Sequence, residues 1–232
     1  MYITTCQLTL HDNLFYASRE MGRLYETERY LHNYGLTYAL GAALNLRRPY
    51  FNADQVPTYQ ADLTYLARER EIYITPAYPL EYSFVFNTFK LGDPAFYSFT
   101  PQVINNRVVY GRAKELAPDS RFEFFIFSPK PLELPRWLRL GKWMSKAELV
   151  VTRAGEYKAV QPPDPVQIAC PLNPLDLPIA GLVNFDLVNM PPVSLLINAV
   201  TKGPCYEVSG KKTGGDVFLP ANLAYFGGES SK

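Results

Sequence analysis

RFEFFIFS, residues 121–128, is the stretch on which the fold turns. Phe122, Phe124, Ile126 and Ser128 alternate with Glu123, Phe125 and Phe127, the period of two that sends successive side chains to opposite faces of a strand. Working outward, YITTCQLTL at 2–10 predicts a first strand, closed by the turn residues His11, Asp12 and Asn13. Residues 72–75 and 81–89 predict two more. In the second of these, Phe84, Phe86 and Thr88 share one face and Val85, Asn87 and Phe89 the other, as expected of a strand covered on both sides. Residues 147–152, 193–200 and 205–208 complete the predicted strands, and 103–110 predicts one arm of a projecting hairpin after a loop over 90–101.

Helix signals are fewer. Over 27–46, Leu31, Tyr34, Tyr38 and Leu46 fall near helical spacing, while Ala39, Ala42, Ala43 and Leu44 favour helix. Thr27 is the expected N-cap and Pro49 the stop. Residues 62–70 predict a second, short helix. Residues 14–25 have no clean period and read as an irregular connection, and 132–143 reads as a linker. Beyond Gln161 the prolines at 162, 163, 165, 171, 174, 178, 191 and 192 exclude long helices and central strands. Residues 227–232 are expected to fray. The sum is a strand-dominated α+β chain.

A chain of 232 residues that is 47% hydrophobic can bury a core and is not a disordered polymer. It carries 17 Tyr and 14 Phe, side chains that suit strands and also stack on unpaired bases. Its net charge of +1 does not by itself indicate nucleic acid. The charge is uneven, however: residues 101–160 hold 11 Lys/Arg against six Asp/Glu, and both flanks are slightly acidic. Cys6, Cys170 and Cys205 are widely spaced, an odd set without metal spacing that suggests free thiols and a reducing compartment. The opening MYITTCQLTL lacks the pattern of a signal peptide, and no apolar run is long enough to span a bilayer, so a cytoplasmic protein is expected.

Catalytic motifs are scarce. His11 and His32 are the two histidines, and they form no zinc-binding pair. GKKTGG at 210–215 resembles the end of a phosphate loop but lacks its first glycine. Carboxylate pairs such as Glu26/Glu28 and Glu69/Glu71 sit among arginines, as solvated ion-paired faces do. Metal-free RNA cleavage needs a general base and acid near the 2′-hydroxyl. His11, His32, Lys142 and many tyrosines have the chemistry, but no spacing selects among them.

The constellation that stands out is PRWLRLGKWMSKAEL, residues 135–149. Arg136, Arg139, Lys142 and Lys146 are interleaved with Trp137 and Trp143, the two tryptophans of the chain, with Gly141 at the centre. Such a loop can bring backbone N–H groups and cations to phosphates while an indole stacks on a base. The glycine permits close approach of the backbone. A linker with buried tryptophans and solvated cations is the competing reading.

Three stretches carry a resemblance to a known family. YITTCQLTLHDNLFYASREMGRLYETERYLHNYGLTYALG at 2–41 is similar to the start of the type I-D CRISPR subunit called Csc-one, of the Cas-five group. GKWMSKAEL at 141–149 resembles that group's Gly-basic loop, and VVYGRAKELAPDSRFEFFIF at 108–127 also fits. The resemblance implies a modified ferredoxin-like, RRM-like domain of the RAMP type with an antiparallel sheet. It places that domain at 1–160, with a thumb hairpin inserted around 90–120, and a Pro-rich β extension at 161–232 packed on the same domain. It implies a non-catalytic subunit that clamps the 5′ handle of the crRNA and caps a filament of Cas-seven-type backbone subunits. A large polymerase-like subunit that reads the protospacer-adjacent motif is the further partner, and contact with target DNA near that motif is left open. No cofactor, metal or membrane is implied.

By position, Arg139, Gly141, Lys142, Trp143 and Lys146 become the leading handle-binding residues. Arg19 and Arg23 come second, and Arg107, Arg112 and Lys114 of the thumb third. Tyr25, Tyr30 and Tyr34 are further stacking candidates. A relative in type I-C complexes cuts repeat RNA with Tyr, Lys and His. Trp143, not His, follows Lys142 here. A metal-independent endoribonuclease and a protein-only scaffold are the alternatives.

Overall fold

A computed structural model of the chain describes residues 1–41, 44, 59–91, 109–177, 181–209 and 216–228. The described strands are, in chain order, β1 (Tyr2–Leu10), β2 (Arg19–Met21), β3 (Leu24–Glu26), β4 (Tyr73–Ile74), β5 (Tyr78–Glu81), β6 (Phe84–Leu91), β7 (Val109–Leu116) and β8 (Arg121–Ser128). They continue with β9 (Trp137–Leu140), β10 (Ser145–Glu156), β11 (Ala159–Val160), β12 (Val166–Gln167), β13 (Leu182–Val188), β14 (Leu195–Thr201), β15 (Cys205–Ser209) and β16 (Asp216–Pro220). Helices α1 (Asn33–Ala39) and α2 (Tyr59–Arg70) lie between β3 and β4. The protein is thus mostly sheet with two described helices.

The main sheet has the order β4-β8-β1-β10-β9, and β5 also pairs with β8. All its pairings are antiparallel. β8 coincides with the predicted 121–128 strand and is buried from Phe122 to Ser128 except at Glu123. β1 also keeps its predicted bounds. Because β1 and β4 each run antiparallel to β8, they run parallel to each other, with both helices in the connection between them.

A second sheet, β2-β3-β7-β6, contains one parallel pairing, β3 with β7. β6 and β7 form a hairpin in register from Phe84 opposite Leu116 to Leu91 opposite Val109. Residues 103–108 of the predicted arm lie outside the described residues. β6 is not covered on both sides as its composition suggests. It has β7 as its one neighbour in the sheet, and Phe86 is 61% exposed.

The helix expected over 27–46 begins only at Asn33. The reason is that the preceding backbone is already committed to other pairings. The Thr27 N–H donates to the Lys114 carbonyl at 3.0 Å, and its hydroxyl donates to the Tyr16 carbonyl at 3.0 Å. Leu31 exchanges both backbone bonds with Ala77 at 2.9 and 3.1 Å. His32, not Thr27, caps the helix, its Nδ1 accepting the Tyr34 N–H at 3.2 Å. α2 starts three residues before its expected bound and places Asp62 in its first turn and Arg68 and Arg70 in its last, which complements the helix dipole.

The Pro-rich segment forms two three-stranded sheets, β12-β14-β13 and β11-β15-β16. Leu172 bridges to Leu196 and Ile168 to Phe218. One buried apolar cluster runs from Ile3 through Phe124 and Leu172 to Tyr225. Cys6, Cys170 and Cys205 are buried free thiols, and burial pushes the Cys6 thiol up to about 12.

A polar network lies inside this cluster. Asp176 accepts hydrogen bonds from Asn33 Nδ2 at 2.8 Å, the Tyr73 hydroxyl at 3.1 Å and the Phe226 N–H at 3.0 Å. Tyr225 shares a hydroxyl contact with Thr37 and accepts the Ile74 N–H at 3.1 Å. Burial nevertheless dominates at Asp176 and raises its carboxyl from 3.8 to about 6. The folded chain therefore keeps this proton up to about pH 6, whereas the unfolded chain releases it near 3.8. The group's stabilising share is complete below about pH 4 and is lost as pH rises through 6. Asp176→Ala, which strands three donors, is expected to cost about 3 kcal/mol or more. Asp176→Asn cannot titrate, so its cost relative to wild type should be smaller at pH 7 than at pH 4.5 in urea unfolding at both pH values.

Candidate nucleic-acid interface

The 132–143 segment is not a plain linker. Residues 137–140 form β9, which pairs with β10 at the edge of the main sheet. The alternation Trp137-Leu138-Arg139-Leu140 explains it, because Leu138 and Leu140 are buried while Trp137 and Arg139 face outward. Gly141–Met144 then make the turn into β10. Gly141 has φ +71°, and a Cβ there would stand 2.5 Å from Leu14 Cδ1 and 2.6 Å from the Phe15 carbonyl oxygen. Only glycine satisfies both the conformation and the contact.

That contact orients the two residues that follow. The Lys142 N–H donates to the Phe15 carbonyl at 2.9 Å. The Trp143 indole stacks on the Phe15 ring, with centroids 4.8 Å apart and planes 29° from parallel. Trp143 stays 54% exposed, so its outer face is open. The Lys142 ammonium lies 6.0 Å from the Phe15 ring centre and makes no ion pair among the described residues. Phe15 is the residue that sequence reasoning missed. Its segment lacks periodicity, and nothing local signals that its ring lies under an indole about 130 residues away.

The other cations of the segment are held by neighbours. Arg139 donates to the Met144 carbonyl at 3.1 Å and lies 3.9 Å from Asp12. Lys146 sits 3.8 Å from the Trp137 ring centre, a cation–π contact. Arg136 pairs with Glu148 at 2.8 Å. His11 meets Trp137 edge-on at 5.1 Å and Glu148 at 3.6 Å. Arg139, Gly141, Lys142, Trp143 and Lys146 therefore share one β-turn hairpin, with both indoles exposed.

Arg19, Arg23, Arg112 and Lys114 come together on the second sheet. Arg19 and Lys114 both reach Glu26, each at 3.7 Å. The Arg23 carbonyl accepts the Arg112 N–H at 2.8 Å, and both side chains are exposed. The two clusters are linked through residues 14–18: Leu14 pairs with Leu116 of β7, and the Ser18 N–H donates to the Glu26 carbonyl at 2.8 Å. Arg107 and residues 210–215 lie outside the described residues. Tyr34 is buried and does not present a face for stacking, and Tyr25 packs 5.8 Å from Phe89. No group of three or more metal-ligating side chains occurs among the described residues, and no described helix is long and apolar enough to cross a membrane.

Gly141→Ala should lower stability by about 1–3 kcal/mol, the range for a residue forced into a left-handed conformation. Tryptophan emission should shift as Trp143 leaves Phe15. Urea unfolding followed by fluorescence measures both; an unchanged midpoint and spectrum would refute the close approach of Gly141 to Phe15 and the Trp143 stack on it.

Comparison with known proteins bears on this geometry. No curated protein matches the sequence. A chain of the type III-B Cmr-beta complex bound to cognate target RNA and AMPPnP is 12% identical, with TM-score 0.47, over 85% of this chain and 86% of that one. A CRISPR protein from Archaeoglobus fulgidus is 11% identical, with TM-score 0.44, over 95% and 100%. A chain of a CRISPR RNA-guided surveillance complex is 14% identical, with TM-score 0.37, over 95% and 92%. At these scores the structural likenesses carry no weight of their own. A family model described as type I-D CRISPR-associated protein Cas5/Csc1 matches residues 1–228, and by that match the chain belongs to this family.

Proposed function

We propose that the chain is a non-catalytic subunit of a type I-D CRISPR surveillance complex, in which it holds the 5′ handle of the crRNA. The observation that carries this reading is the 141–144 turn. A left-handed glycine fixes an exposed indole on Phe15 beside a lysine with no carboxylate partner among the described residues. An unpaired cation next to an open aromatic face suits a phosphate and the adjacent unstacked base. Target sequence is then read by base pairing and not by this chain.

The fold supports the same reading. β1 and β4 run parallel around β8 with helices in their connection, the split arrangement of a ferredoxin-like, RRM-like domain. β9 stands where that arrangement would place its second crossover helix. The β6–β7 hairpin is the thumb in this reading. A Cas-seven-type backbone subunit and a large polymerase-like subunit that reads the protospacer-adjacent motif are the protein partners, with target DNA near the motif as a further contact.

The histidines fit a binding role. Burial lowers His32 to about 4, and its Nδ1 is occupied as a helix cap, so it is neutral at physiological pH and its ring is fixed. His11 is engaged with Trp137 and Glu148. His11→Ala should therefore leave processing of repeat RNA unchanged.

Co-expression with a type I-D gene set and a guide array, purified through a tag on this chain, tests the reading. Wild type should bring large partners and a processed RNA. The exposed pair Lys142→Glu with Trp143→Ala should keep the fold and lose protection of the RNA 5′ end. Wild-type chain that elutes alone and free of RNA would refute it, and cleavage of repeat RNA lost on His11→Ala would establish the endoribonuclease instead.

A further inference from the structure

A second array of rings and cations lies outside the 141–144 turn. Arg29 sits between two tyrosines, its guanidinium 5.3 Å from the Tyr30 ring centre and 5.7 Å from that of Tyr82. Its Nη1 donates to the Tyr82 hydroxyl at 2.8 Å. Tyr82 meets Phe84 edge-on at 5.5 Å, and the Lys114 ammonium stands 4.2 Å over Phe84. Phe86, which faces Lys114 in the register of the hairpin, extends the row with a ring 61% exposed. Four rings and two cations thus form one continuous row from Tyr30 to Phe86, with Arg29 between Tyr30 and Tyr82 and Lys114 beside Phe84 and Phe86.

The row borders a cleft of about 460 Å³ that Arg19, Glu28 and residues 187–189 also line. A second cleft, of about 520 Å³, begins on the other side of Arg29 and shares Tyr30 and Tyr82 with it. Both fall in the range of about 300–1,000 Å³ typical of ligand sites. The resident carboxylates do not cancel the site. Glu26 is shared by Arg19 and Lys114, and Glu28 accepts the Arg29 backbone N–H at 2.9 Å, so Arg29 keeps its charge for an incoming group.

We infer that this trough is a second binding track for single-stranded nucleic acid, with Arg29 and Lys114 on phosphates and Phe86 and Tyr82 as stacking faces. Two cations interspersed among rings along one row suit a single strand, whose phosphates and unstacked bases need both kinds of partner. An acidic peptide would use the cations but not the exposed phenyl ring. The inference deepens the RNA-holding reading and rests on it for the source of the strand. Guide RNA and an unpaired DNA strand offer the same phosphodiester chemistry.

The test is fluorescence anisotropy of the full-length chain with labelled oligo(U) and oligo(dT) of about 12 nucleotides, within the span of about 4–16 that one single-strand site takes. Phe86→Ala and Phe86→Leu should each weaken binding about tenfold, the loss of one stacked base, while Phe86→Tyr retains it. Arg29→Ala should make the dependence of log affinity on log salt shallower by about 0.7, one phosphate on a single strand. Thermal melts check that each variant is folded, and the probe bound more tightly identifies RNA or DNA as the source.

Wild-type affinity and salt slope in all of these variants would overturn the track. If Lys142→Glu with Trp143→Ala then still loses binding, the turn stands alone. If the trough variants lose binding and the turn variant does not, the track stands and the turn reading falls. Poly-glutamate that competes as well as the oligonucleotides at equal charge would also overturn it, in favour of an acidic protein partner.

Discussion

The backbone of residues 14–18 is the constraint on which both candidate surfaces depend. It leaves β1 at the end of the main sheet and must satisfy its polar groups away from any regular strand. Leu14 does so by exchanging both backbone bonds with Leu116, at 2.9 and 3.0 Å. Phe15 accepts from Lys142, and Tyr16 exchanges bonds with the Thr27 hydroxyl. Ser18 bonds twice to the Glu26 carbonyl, through its N–H and its hydroxyl. One irregular stretch therefore fixes the 141–144 turn on one side and β3 on the other. Gly141 is the point of closest approach, and any side chain there would push the two apart.

A second constraint ties the Pro-rich segment to the rest. Prolines prevent it from building long elements, and its two sheets have three strands each. Such sheets are marginal alone and gain stability by packing. Tyr206 meets Phe127 of the main sheet at 5.9 Å, and Tyr225 meets Tyr73 at 4.8 Å. Asp176 adds direction to this apolar contact. It gathers donors from α1, β4 and the last described turn, so only one docking arrangement satisfies all three. Burial outweighs those donors and raises the carboxyl, so the charged form is disfavoured there despite its hydrogen bonds.

Strands were legible in the sequence where apolar alternation was strong. β1 and β8 keep their expected bounds because both are central and their patterns answer to neighbours on two sides. The helix is shorter than expected: Thr27 has the chemistry of an N-cap and Leu31 falls at helical spacing, but tertiary backbone pairing claims both. β9 is hard to read from sequence although Trp137-Leu138-Arg139-Leu140 alternates, because a four-residue run between Pro135 and Gly141 is too short to separate from a linker. β13 was missed because the sequence stretch LVNFDLV sits among prolines, and an edge strand exposed over most of its length leaves little burial pattern to read. For the turn, composition pointed to Gly141, Lys142 and Trp143, but Phe15 is joined to them only by the fold.

The modest net charge of the chain becomes intelligible from its ion pairs. Arg136 is held by Glu148, Arg139 lies near Asp12, and Arg19 and Lys114 share Glu26. These pairs are partly exposed, and such pairs are worth about 0–1 kcal/mol, so a phosphate can replace a carboxylate at little cost. Among the described cations of the two clusters, Lys142, Lys146, Arg23 and Arg112 have no ion pair. Lys146 is spent on the Trp137 ring, and Arg23 and Arg112 are exposed on the second sheet. Among these described cations, Lys142 alone joins an ammonium without an ion pair to a backbone fixed by a left-handed glycine and to an exposed indole, which is why the proposed RNA-holding role centres there and not on the more numerous arginines.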